Sequence, residues 1–291
     1  LHTFAGFNLS KEKIQKGPFS LWRYQEVLPV SEEHRVTMGE GLTPLLPVTY
    51  EGREVLLKLD FLQPTGSYKD RGTSVLISKL KEWGVKRIVE DSSGNAGASM
   101  AAYCARAGIG CEIYVPSYTS AGKIVQIACY GADLVKVPGT REDTAMAALK
   151  RAEEIFYASH NWSPYFIEGT KTLALELWEQ LGWQAPDAVV VPVGNGSLVL
   201  GLYKGFRELM EIGQLSRLPR IIAVQSANCS PIYRAFHQGW DFVEAVEKQA
   251  TLAEGIASAA PVKGAYILRA IKESRGTVIA VREEEIKRAL L

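Results

Sequence analysis

Gln63-Pro64-Thr65-Gly66-Ser67-Tyr68-Lys69-Asp70-Arg71-Gly72 sets one lysine at the mouth of a helix. A lysine that only keeps a protein soluble can sit anywhere on a wet helix face. Lys69 instead follows a Pro-Thr-Gly turn and Ser67, a good N-cap, which puts it in the first turn of a helix expected over residues 68–83. The positive end of a helix dipole and partial burial both disfavour an ammonium group, and a lysine that forms Schiff bases needs such surroundings. On this segment alone, a helix-start lysine paired with Asp70 is an equal reading.

Two further segments bear on the choice. Ser92-Ser93-Gly94-Asn95-Ala96-Gly97 follows the strand-like run 87–91 and opens a helix of small residues, so its backbone amides are expected to face an anion, a carboxylate by this reading. Later, the apolar run 187–193 leads into Gly194-Asn195-Gly196-Ser197 and then a helical pattern. Glycines let backbone approach closely and a helix start supplies unpaired N–H donors, which together suit a phosphate. Each segment taken singly is also what an ordinary strand-to-helix turn looks like.

Strand candidates recur at 55–59, 87–91, 112–115, 134–137, 188–193, 220–225 and 277–281. Helical patterns fill 68–83, 95–107, 119–130, 141–155, 170–181, 197–212 and 264–274. This alternation argues for an α/β protein with parallel sheets wrapped by helices on both faces.

At 291 residues and 47% hydrophobic content the chain can bury a large core. Its 33 basic and 32 acidic residues leave a net charge of +1, which gives no electrostatic case for nucleic acid or an anionic membrane. Cys104, Cys111, Cys129 and Cys229 form no CxxC pair and lie in apolar patterns, as reduced, buried thiols do. His2, His34, His160 and His237 show no metal-ligand spacing, so no metal is expected. No stretch reads as a membrane span or a signal peptide, and a cytoplasmic protein is expected.

Taken in order, SYKDRG, SSGNAG and VGNGS closely resemble the fold-type II (tryptophan synthase β-like) pyridoxal-phosphate enzymes, and the threonine synthase family in particular. Gly39-Glu40-Gly41-Leu42-Thr43-Pro44-Leu45, Glu168-Gly169-Thr170-Lys171-Thr172 and Ala253-Glu254-Gly255-Ile256-Ala257 support the narrower likeness. The resemblance implies two open parallel-sheet lobes, with residues 62–156 as a smaller lobe inserted into a larger one built from 1–61 and 157–291. It places pyridoxal 5'-phosphate in the cleft between them, and it implies a homodimer. Lys69 would carry the cofactor and move protons, while Asn95 would meet the ring hydroxyl. Gly194, Asn195, Gly196 and Ser197 would cradle the cofactor phosphate. Ser92, Ser93 and the amides through Ala96 would take the carboxylate of an amino-acid substrate. A Ser or Thr that meets the pyridine nitrogen in the family has no counterpart up to Leu291, so it is expected in sequence beyond the helix of residues 282–291.

Threonine synthases make threonine from O-phosphohomoserine and so hold a second phosphate, for which Lys123 resembles one ligand. The family's arginine two residues before Glu168 is replaced by Phe166. Losing a bidentate guanidinium from a dry pocket weakens its hold on a phosphate by about 2 to 5 kcal/mol. The alternative is therefore a related β-eliminating or β-replacing enzyme acting on serine, threonine or O-phosphoserine. A dinucleotide-binding oxidoreductase fits less well, because Gly201 is misplaced for GxGxxG and the next strand ends in Gln225 rather than an acidic residue. A non-catalytic effector-binding protein has no use for the reactive amine.

Overall fold

The structure, a computed structural model, describes residues 9–290, with the side chain of Lys123 outside that description. The chain divides into two compact units, one of Phe4–Thr172 and one reaching from Leu173 to Leu291. The whole of residues 62–156 lies in the first.

In the first unit, α1 (Lys11–Lys16) is capped by Ser10, whose hydroxyl accepts the Lys13 N–H. Then β1 (Leu45–Tyr50) and β2 (Arg53–Lys58) form an antiparallel ribbon. Its two-residue turn, Glu51-Gly52, has positive φ at both positions (47° and 73°), which matches the twist of a tight hairpin. No residue of either strand is buried. Sequence reading found only part of β2 and missed β1, because Pro47 reads as a breaker and the ribbon has no buried face to impose alternation.

The remainder of the unit alternates: α2 (Lys69–Glu82), β3 (Arg87–Glu90), α3 (Asn95–Ala107), β4 (Gly110–Pro116), α4 (Ala121–Cys129), β5 (Asp133–Val137), α5 (Arg141–Arg151) and β6 (Phe156–Tyr157). The strands form a parallel sheet in the order β5-β4-β3-β6. Helical crossovers are what allow parallel neighbours, and they bury the central strands on both faces. Accordingly Val89 is fully enclosed, and Ile88, Ile113 and Val115 are enclosed in a core shared with Leu76, Ile77 and Leu80 of α2 and Met100 and Tyr103 of α3.

Helix α6 (Pro164–Thr170) packs along α2 through two glycines. A Cβ on Gly169 would lie 2.0 Å from the Arg71 carbonyl oxygen, and one on Gly72 would lie 2.7 Å from the Phe166 ring. The EGTKT segment is interior: Glu168 and Lys171 are buried and pair at 2.6 Å.

Helix α7 (Thr172–Gln180) leads into the second unit. There β7 (Ala188–Pro192), α8 (Ser197–Glu211), β8 (Arg220–Ser226), α9 (Pro231–His237), α10 (Gly264–Glu273), β9 (Thr277–Val281) and α11 (Glu283–Leu290) follow one another. A second parallel sheet runs β7-β8-β9. The expected α/β class with parallel sheets is thus observed in both units. Of the four cysteines, Cys104, Cys111 and Cys229 are buried and unpaired, whereas Cys129, at the end of α4, is exposed, contrary to expectation. Among the described residues no helix is long and apolar enough to cross a membrane.

Candidate active site

Lys69 is the first residue of α2. The residue before it, Tyr68, occupies the cap position with helical angles, so Ser67 is not the formal N-cap. Its hydroxyl nevertheless accepts the Lys69 backbone N–H at 3.3 Å. The Lys69 Nζ donates to the Tyr68 hydroxyl at 2.9 Å and lies 4.0 Å from that ring's centroid. Asp70, its neighbour, faces the other way. One of its carboxylate oxygens accepts the Thr65 N–H at 2.7 Å, and the other accepts the hydroxyls of Thr65 and Ser99, each at 2.6 Å. Burial pushes the Asp70 carboxyl upward, against the lowering effect of those hydrogen bonds. The Lys69–Asp70 pair that the segment alone would allow does not form; Asp70 instead fixes the turn from which Lys69 projects.

The loop 92–96 leaves the carboxyl end of β3 and opens α3, with Gly94 at the cap position. Ser92 and Ser93 are half-buried, Asn95 is exposed and Ala96 is buried. A Cβ on Gly97 would stand 1.9 Å from the Ser92 carbonyl oxygen, so only glycine lets the helix begin this close to the loop. Ser99, one turn further along α3, is the residue that bonds Asp70, and the Gln126 amide of α4 donates to the Thr65 carbonyl at 3.1 Å. The Lys69 turn, the 92–96 loop and the second turn of α4 are thereby gathered at one place in the first unit. Lys123 sits in the first turn of α4, but its side chain lies outside the described residues.

Sequence reading gave no role to His160, which the structure sets beside this group. Its Nδ1 lies 2.9 Å from Oε1 of the enclosed Glu90 at the end of β3, and its ring meets the Phe166 ring edge-on at 5.8 Å between centroids. Burial pushes the Glu90 carboxyl up, opposed by its contact with His160. The next residue, Asp91, accepts from Arg141 at 2.7 Å and from the Tyr157 hydroxyl at 2.8 Å. The Phe166 ring is fully enclosed, so position 166 brings no cation here.

Further ties hold the segment before the lysine. Glu40 of the GEGLTP motif accepts from Trp22 Nε1 (3.0 Å), Ser74 Oγ (2.6 Å), the Met38 N–H (2.8 Å) and the Tyr103 hydroxyl (2.8 Å). Arg71 is wholly buried and clamps Asp60 with Nε at 2.9 Å and a terminal nitrogen at 2.7 Å.

In the second unit the expected phosphate loop stands between β7 and α8. Gly196 has φ +80° and occupies the cap position of the 15-residue helix α8, whose first amides have no partner within the helix. A Cβ on Gly194 would lie 3.0 Å from the backbone of Ile256, which belongs to the AEGIA segment. Ser258, just after that segment, donates to the Asn195 side-chain oxygen at 2.7 Å. Two glycines that bare the backbone at a long helix's positive end fit a phosphate group such as that of pyridoxal phosphate. Gln225 acts as a brace, donating to the Val193 carbonyl and accepting the Tyr233 N–H.

Comparison with known proteins points to the same cofactor. The profile of the pyridoxal-phosphate dependent enzyme family matches residues 36–291. A threonine synthase from Methanocaldococcus jannaschii is 37% identical over 97% of this chain and 71% of its own length. Among solved structures, a serine racemase from Dictyostelium discoideum shares 28% identity with a TM-score of 0.72, covering 85% of this chain and 78% of its own. A fungal L-serine ammonia-lyase from Rhizomucor miehei shares 25% identity with a TM-score of 0.71, covering 84% of this chain and 76% of its own.

Proposed function

From the premise that this chain belongs to the pyridoxal-phosphate dependent enzyme family, in the branch of the threonine synthases, we propose that it converts O-phosphohomoserine to threonine and phosphate. Bound pyridoxal phosphate supplies an electron sink for bond breaking at the Cα of an amino acid. Lys69 holds that group through its amine and then carries protons to and from the substrate's carbon atoms. Asn95 hydrogen-bonds the ring hydroxyl. Ser92, Ser93 and the amides through Ala96 bind the substrate carboxylate, and Gly194, Asn195, Gly196 and Ser197 hold the cofactor phosphate. Lys123 serves the substrate phosphate.

The observation that carries this reading is the placement of the Lys69 amine on the Tyr68 hydroxyl while Asp70 is engaged elsewhere. With Asp70 engaged elsewhere, the Lys69 amine is not tied up by the carboxylate next to it. The test is an assay panel: inorganic phosphate release with threonine formation from O-phosphohomoserine, against keto-acid release from serine, threonine and O-phosphoserine. Threonine formation supports the proposal; keto acid without threonine overturns it.

The buried phenyl ring of Phe166 favours a second reading, a β-eliminating or β-replacing enzyme on serine, threonine or O-phosphoserine. Three finer points complete the proposal. Residues 62–156 act as the smaller lobe, the enzyme works as a homodimer, and it resides in the cytoplasm. Light scattering on the purified protein tests the assembly: a monomeric mass at micromolar concentration removes the dimer.

A further inference from the structure

Side chains at neighbouring positions of a helix leave it roughly 100° apart and do not ordinarily meet. Those of Tyr68 and Lys69 do. The flexible stem of the lysine brings Nζ to 4.0 Å from the centroid of the tyrosine ring and to 2.9 Å from its hydroxyl. Among the described residues, that hydroxyl is the one side-chain group the amine bonds. The tyrosine is itself held at the helix entrance. Its backbone has helical angles (φ −56°, ψ −12°), and its carbonyl accepts the Arg71 N–H at 3.2 Å. The Lys69 N–H is tied in turn to the Ser67 hydroxyl, and both side chains are half-buried.

An amine that works as nucleophile and base passes between a charged and a neutral form, and a partner for it has to serve both. A phenol donates and accepts, so the Tyr68 hydroxyl can accept from the ammonium and donate to the neutral amine. A carboxylate only accepts, and its charge would favour the ammonium, which has no lone pair to attack with. The adjacent carboxylate, Asp70, is engaged by Thr65 and Ser99. Resting on the reading above in which Lys69 carries the cofactor, we propose that Tyr68 is a positioning residue for that amine. Its hydroxyl holds Nζ in either protonation state, so the amine keeps its place whenever it is not joined to the cofactor.

Tyr68→Phe keeps the ring beside Nζ and removes only the hydroxyl. Loading joins Nζ to the aldehyde carbon of pyridoxal phosphate with loss of one water. Stopped-flow absorbance separates the concentration-dependent binding phase from the first-order bonding phase. Pyridoxine phosphate, which has an alcohol in place of the aldehyde, reports binding without bonding. In Tyr68→Phe the first-order phase is expected to slow about tenfold, the effect of one lost hydrogen bond, while affinity for pyridoxine phosphate stays within about twofold of the parent. In parallel, kcat for O-phosphohomoserine should fall with KM unchanged. A ring that only packs leaves the first-order phase at the parent rate, and that result overturns the proposal. A variant that loses affinity for pyridoxine phosphate in the same proportion assigns Tyr68 to the shape of the site, which overturns it as well. Failure of the underlying reading looks different. A pyridoxyl group on another lysine of the borohydride-reduced parent removes Lys69, and the role of Tyr68 with it. A parent that loads at Lys69 but makes no threonine overturns the assigned reaction alone, and the loading rates still decide the role of Tyr68.

Discussion

Asp70 accepts the Ser99 hydroxyl at 2.6 Å, so the first turn of α2 and the second turn of α3 share one enclosed carboxylate. Lys69 belongs to the first of these turns, and the 92–96 loop leads into the second. Asp70→Ala removes the acceptor for three donors, one backbone N–H and two hydroxyls, and should cost about 2 to 4 kcal/mol of stability. Chemical denaturation measures this. Cofactor uptake should fall with it, and a loss below about 0.5 kcal/mol would show that the tie is dispensable.

The buried Asp60–Arg71 pair makes the acid side of the stability curve testable. Burial pushes the Asp60 carboxyl up, but the charge of Arg71, with hydrogen bonds from Arg71 and Thr43, outweighs it and holds the group below the ordinary carboxylate range. A carboxyl lowered in the folded state stabilises the protein above its unfolded value, about 3.9, and that contribution fades as pH falls through the folded value. Asp60→Asn, which leaves the Arg71 charge buried without its partner carboxylate, should cost about 3 to 5 kcal/mol at pH 7. The gap between variant and parent should narrow only below about pH 4. A gap that shrinks between pH 8 and 6 would assign the effect to another group.

Gly72 and Phe166 should behave as one packing unit. A methyl group at 72 would lie only 2.7 Å from the ring carbons of Phe166, so Gly72→Ala should destabilise by about 1 to 3 kcal/mol, the range for overpacking. Phe166→Leu in the same chain should recover part of that loss. Strict additivity in the double-mutant cycle would mean that the ring moves aside.

Covalent attachment has a direct readout. After borohydride reduction of the cofactor-loaded protein, mass spectrometry should find a pyridoxyl group on Lys69. The same adduct on Lys123 or Lys171, with Lys69 unmodified, removes Lys69 from the role.

Gly196→Val should abolish most cofactor retention at limiting pyridoxal phosphate. Position 196 has a positive φ, and its Cβ would crowd Ile267. Absorbance of the dialysed protein measures the retention, and full occupancy would relocate the phosphate to another loop.

What could be read from the sequence was whatever depends on near neighbours. β9 appears at the predicted residues 277–281, and α3 at 95–107, because an apolar run or a turn followed by small residues is a local signal. Helix α6 was missed: Pro164 at its start and two glycine contacts with α2 make it a helix through packing, which no periodicity announces. The Asp70–Ser99 bond spans 29 residues and the Glu90–His160 pair spans 70, so neither could be found without the fold. Lys69 was legible because its turn residues adjoin it. His160 was not, because nothing beside it in sequence marks it.

The β1–β2 ribbon stands as a two-stranded sheet with exposed apolar side chains. With Leu46, Tyr50, Leu56 and Leu57 each more than 40% exposed, and no third strand beside it among the described residues, the hairpin presents greasy side chains and open backbone edges together. Such an edge invites strand-to-strand aggregation between molecules. Pro47, which has no amide hydrogen to offer, and the charges of Arg53 and Glu54 oppose such pairing.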